Sequence, residues 1–401
     1  MKKIIIPVAV VAALLLAVML VPGDKTLLVK WTPAERSVKD ARPLVDVYLE
    51  NSGSMDGYMN DGAQLKDAVY SYVSALESYA AGTPRLHFIN SQVVPYEGAA
   101  KDFIRNMNPE TFRRAGGSRA NSDIAQMLET IVGRLSDNSI AVFISDCILD
   151  VPEGDAEHFF INRQIDIRNA FAKGRRKRPD LSVVMMQLES EFTGMYYYNT
   201  GGEELRGKMR PYYMFLIGRK ELLAGISKRV PPTAIKHGVE HCAAFTTRSD
   251  VPFTMTNEFG VARRGVAECR QGKDGRCRMK IEANFLPTLQ DDDYVMNPDN
   301  YRTQNATVSV STIERMNDTG SPYTHVLTVE MDGRMNPAGE LIRLVQQPMP
   351  SWIEAANDDS GREINKHLKQ TTGIKYIVSG IAEAFREETT LADFAFNIQK
   401  K

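Results

Sequence analysis

Between Leu44 and Ser227 short apolar runs alternate with stretches of helical periodicity, and this alternation restricts the architectures open to the chain. LVDVYLE (44–50), RLHFIN (85–90), QVVPY (92–96), SIAVFISD (139–146), LSVVMMQLE (181–189) and PYYMFLIG (211–218) read as strands. Leu65, Ala68, Val69, Tyr72, Val73, Leu76 and Tyr79 recur at helical spacing, as do Ile124, Leu128, Ile131, Val132 and Leu135. Further helices are expected over about 156–172 and from Arg219 to about Ser227. The run SIAVFISD is apolar almost throughout, as in a strand covered on both faces. The pattern predicts an α/β fold with a doubly wound, mostly parallel sheet over residues 44–230.

Beyond Pro231-Pro232 the texture changes to β-rich runs separated by Gly, Pro, Asn and Asp clusters, which predicts a sandwich-like domain over 231–348. Ile374, Ile377, Val378, Ile381, Ala382 and Phe385 share one helical face, so 349–401 is expected to be a helical segment. Residues 24–43 are polar and carry Pro33 and Pro43, which reads as a linker. Ahead of it, residues 1–23 hold eighteen uncharged residues from Ile4 to Val21. As a helix that run would be about 27 Å long, close to the hydrocarbon thickness of a bilayer.

These residues read as a membrane anchor, or as an export signal if cleaved near Val21-Pro22-Gly23. Lys2 and Lys3 favour a cytoplasmic tail, with the body on the outer side of the cytoplasmic membrane. Lys plus Arg is 49 against Asp plus Glu 50, so no dominant nucleic-acid surface is implied. Cys269 and Cys277 flank a Gly-rich loop at a spacing a disulfide could close. Four reduced thiols are equally compatible, and the absence of CxxC gives zinc little support.

The chemistry concentrates at strand ends. Glu50 closes an apolar strand, with Ser52 and Ser54 following at alternate positions. Ser122 stands just before a helix, and Asp146 closes the most apolar strand. Oxygen ligands gathered at the C-terminal ends of strands suit a hard divalent cation. These three pieces resemble the metal-ion-dependent adhesion site of the von Willebrand factor type A family. The resemblance covers about residues 44–228. It implies a metal held by Glu50, Ser52, Ser54, Ser122 and Asp146, with Ser118 and Asn121 as second choices for the middle ligand. The family has Asp where Glu50 stands and Thr where Ser122 stands. Hydroxyls outnumber carboxylates in the set, which favours Mg²⁺ over Ca²⁺ or Mn²⁺.

In that family the open metal position takes a carboxylate from a bound protein. The expected function is therefore capture of a protein ligand by a membrane-tethered chain. The alternative is an assembly or regulatory subunit of a bacterial membrane complex with a degenerate metal site. A metal-assisted hydrolase ranks last, because no general base stands out near Asp146, and no GxSxG, GxxxxGK[ST] or strand-linked GxGxxG motif is present.

Weaker features have structural readings. His237 and His241 are four apart, but Gly238 weakens a helix there. The basic run Lys173–Arg178 fits a solvated helix C-terminus. Tyr196, Tyr197, Tyr198, Tyr212 and Tyr213 suit either a recognition patch or the packing of an inserted hairpin, and Asp291–Asp293 reads as an exposed loop.

Overall fold

Strand β2 (Leu44–Glu50) is buried at every position after Leu44 and lies inside a seven-stranded sheet. In that sheet it sits between β3 (Arg85–Ile89) and β5 (Ser139–Ser145) and runs parallel to both. The computed structural model describes residues 26–33, 42–120, 122–151, 156–198, 201–317, 320–346, 349–360 and 363–401. The full order is β4-β3-β2-β5-β7-β6-β8, with β4 (Val93–Tyr96), β6 (Leu181–Tyr198), β7 (Gly201–Arg219) and β8 (His241–Phe245). Helices α1 (Gln64–Glu77) and α4 (Lys220–Arg229) bury Leu65, Tyr72, Leu223 and Ile226 against one face. Helices α2 (Ile124–Arg134), α3 (Ala156–Lys177) and α5 (Ile374–Ala384) bury Leu128, Phe171 and Ile377 against the other.

The doubly wound, mostly parallel sheet expected from the strand–helix alternation is not what forms. Only β3/β2 and β2/β5 are parallel; β4/β3, β5/β7, β7/β6 and β6/β8 are antiparallel. The reason lies in the connections. Strand β6 turns directly into β7, pairing Tyr198 with Gly201, whereas a parallel neighbour needs a crossover of a dozen residues or more.

A five-stranded sheet, β10-β1-β18-β15-β12, and a four-stranded sheet, β13-β14-β11-β9, are antiparallel throughout. They comprise β1 (Thr26–Trp31), β9 (Phe253–Asn257), β10 (Val266–Arg270), β11 (Arg276–Ala283), β12 (Tyr301–Thr303), β13 (Val308–Arg315), β14 (His325–Asp332), β15 (Ala338–Val345) and β18 (Thr390–Lys400). Alternate residues of β11 and β14 point inward, as a half-buried sheet requires. Both sheets feed one core containing Val29, Met279, Val329, Leu344 and Phe394. Two boundaries shift accordingly. The expected linker contains β1, and the expected helical tail contributes β18, placed between β1 and β15.

Helix α5 packs on α3, where Gly380 lets the two backbones approach and the Phe160 and Tyr376 rings stack at 4.7 Å. Strands β16 (Asn357–Asp358) and β17 (Thr371–Thr372) form a short parallel pair. The expected anchor at residues 1–23 lies outside the described residues. Among the described residues no helix is long and apolar enough to cross a membrane, so the transmembrane helix expected of the chain is not seen there.

Candidate functional site

Parallel pairing puts the ends of β2 and β5 side by side, with Leu49 opposite Ile144, so Glu50 and Asp146 emerge at one edge of the sheet. After Glu50 the chain turns through a short 3-10 helix, Ser54–Tyr58, which carries Ser54 back over the strand ends. Asp123 caps α2 by accepting from the Gln126 amide at 3.0 Å, and this places Ser122 at the mouth of the same edge. Arg119 pins the loop by donating to Asn51 Oδ1 at 2.6 Å and to the Ser52 carbonyl at 2.8 Å.

The five expected residues gather at this edge. The Ser122 hydroxyl donates to Glu50 Oε1 at 2.6 Å, and Ser52 stands near Glu50. The Ser52 and Ser54 hydroxyls lie 3.0 Å apart, and Ser54 stands near Asp146. Glu50 and Asp146 are 0% and 1% exposed, which makes their charges costly. Burial raises Glu50 above the ordinary carboxylate range, with the surrounding serines opposing the rise. Asp146 is pushed up to about 7 by burial first and by the Glu50 charge second. Asp146 Oδ1 accepts from the Ile148 amide at 3.2 Å, whereas the buried Oδ2 has no partner.

Several residues of the site were not singled out from the sequence. Ser145 donates to Glu50 Oε2 while accepting from the Cys147 amide at 2.7 Å. Arg210, only 1% exposed, donates to the carbonyls of Leu368 and Gln370 at 3.1 and 3.0 Å and stands over the Tyr196 ring. Its charge opposes the rise at Asp146. Thr372 of β17 bonds Tyr196 at 3.1 Å, and its carbonyl accepts from Leu149. Above the floor opens a cleft of about 740 Å³ that Ser52, Ser54 and Ser122 line, with Arg113 and Arg119 paired to Asp56 on its wall. Ser145 could have been noticed as a hydroxyl in the final position of its strand. Arg210 and Thr372 arrive from far along the chain and left no local signal.

The other sequence features separate from this site. Ser118 bonds Ser91 through its amide, and Asn121 lies outside the described residues. His237 has a left-handed backbone and His241 opens β8 with its ring stacked on Trp352, so no helical histidine pair forms. In the basic run, Arg175 pairs with Glu388 and Arg178 donates to the Leu135 carbonyl. Asp291 caps a short helical turn, and Asp292 pairs with Arg315. Tyr196, Tyr212 and Tyr213 are buried, and Tyr197 is exposed.

The expectation of a metal-binding protein needs a correction. Among the described residues no group of three or more His, Cys, Asp or Glu side chains is placed to hold a metal ion. The strand-end set has only two such groups, and its other members are hydroxyls. No protein-family model matches the chain, and no curated protein sequence matches it.

Proposed function

We propose that the chain captures a protein ligand in the cleft above Glu50 and Asp146. A divalent cation at the cleft floor would join the ligand's carboxylate to Glu50, Ser52, Ser54, Ser122 and Asp146. One observation carries the reading: Asp146 Oδ2 is buried without a partner beside a second buried carboxylate. Such an oxygen costs free energy unless a cation or a donor reaches it. Hydroxyls and carboxylates are the donors a hard divalent cation prefers. Arg113 and Arg119 on the wall supply positive charge that favours an acidic ligand surface. The apolar run Ile4–Val21 supports action at a membrane face.

A second reading has its own observation. Ser122 and Ser145 already donate to both oxygens of Glu50, which supports a site completed by hydrogen bonds and a chain that serves as an assembly subunit. Titration calorimetry of the full chain with MgCl₂ and MnCl₂, beside Asp146→Ala, separates the two. Cation-site binding predicts a saturable signal in the parent chain and at least a tenfold loss of affinity in the variant. Equal signals in both proteins, or none in either, would overturn it.

A further inference from the structure

Cys269 and Cys277 lie on strands of different sheets. Cys269 is on β10, at the edge of the five-stranded sheet, and Cys277 is on β11, inside the four-stranded sheet. A short turn over 271–275 brings the strands together, held by the Gly272 amide on the Arg276 carbonyl at 2.8 Å and by Gly275 at φ 82°. The side chains are 1% and 0% exposed and face into the shared core. Cys277 Sγ donates to the Cys269 carbonyl at 3.4 Å, and Cys269 Sγ donates to the Arg278 carbonyl at 3.2 Å, so each thiol lies against the other's strand.

We propose that Cys269 and Cys277 are a modification site at which an intrachain disulfide ties the two sheets of the sandwich together. The co-reactant is a small-molecule disulfide such as oxidised glutathione. While the chain folds and both thiols are still open to solvent, the Cys277 thiolate attacks one of its sulfurs and expels a glutathione thiolate. The Cys269 thiolate then attacks Cys277 Sγ and expels the second. Two protein thiols thus lose two electrons and two protons, and one disulfide is reduced to two thiols. Cys147 belongs to one core of the seven-stranded sheet and Cys242 packs against the other, so neither shares the core that holds Cys269 and Cys277.

The test refolds the reduced full chain in the presence of oxidised glutathione, then counts free thiols after denaturation and maps the linked peptides by mass spectrometry. The expected result is a fall from four thiols to two, a mass lower by two hydrogens, and a single Cys269–Cys277 link. Four remaining thiols, a persistent glutathione adduct on Cys277, or a link through Cys147 or Cys242 would each overturn the proposal. Melting curves of the oxidised chain should shift upward and return with dithiothreitol. Equal melting in both states would refute the tie between sheets.

Discussion

At Asp146 the folded chain holds a proton to about pH 7, whereas an unfolded Asp releases it near pH 4. Through that window the native state binds more protons than the unfolded state, so its stability falls as pH rises. A cation at the site would cancel this loss. Millimolar MgCl₂ is therefore expected to raise Tm more at pH 8 than at pH 5, as scanning fluorimetry would measure. Asp146→Asn should melt higher than the parent at pH 8 without cation and should no longer respond to it. A variant that merely fails to fold would melt lower. At this scale the sequence was informative, because Glu50, Ser52, Ser54, Ser122 and Asp146 all sit where an apolar run or helix stripe begins or ends. Ser145 was visible as the last hydroxyl of its strand but was passed over, whereas Arg210 and Thr372 were hidden, since their roles depend on which distant segments become neighbours.

Among the elements, most strand and helix positions over 44–230 were legible from periodicity, but β6 and β7 run well past the expected 181–189 and 211–218, and strand direction was not legible. A continuous apolar run records only that both faces are covered, and a mixed sheet covers them as well as a parallel one. Strand β18 shows Phe394, Phe396 and Ile398 at alternate positions, yet the helical stripe just before it drew the reading toward a helix. Strand β1 was obscured by the prolines and charges that follow it. Packing between elements offers a direct check. A Cβ at Gly380 would lie 2.6 Å from the Gln164 carbonyl and 2.9 Å from Ile167 Cβ. Gly380→Val should therefore push α5 off α3 and cost about 1–3 kcal/mol. Urea denaturation followed by circular dichroism would measure this, and an unchanged midpoint would contradict the close approach.

For the molecule as a whole, the sandwich depends on the pairing of β18 with both β1 and β15. Removing residues 390–401 should leave β1 held by β10 alone and expose Leu27, Val29 and Leu344. Limited proteolysis of the truncated chain should then cut first within 251–345, while the seven-stranded sheet persists as a resistant fragment. Resistance across both regions would show that β18 is dispensable. The same pairing sets a schedule. Leu28 meets Gln399, so β1 leaves the ribosome early and waits for one of its two neighbours until nearly all of the residues described here have been made. Contacts this remote in sequence form late and slowly. Because β2 to β8 lie between the two halves of that wait, the seven-stranded sheet can form while the sandwich is still open, and the cleft is completed only when Ser360 and Thr372 have been made. During synthesis Glu50 and Asp146 would therefore meet at their sheet edge before the sandwich closes.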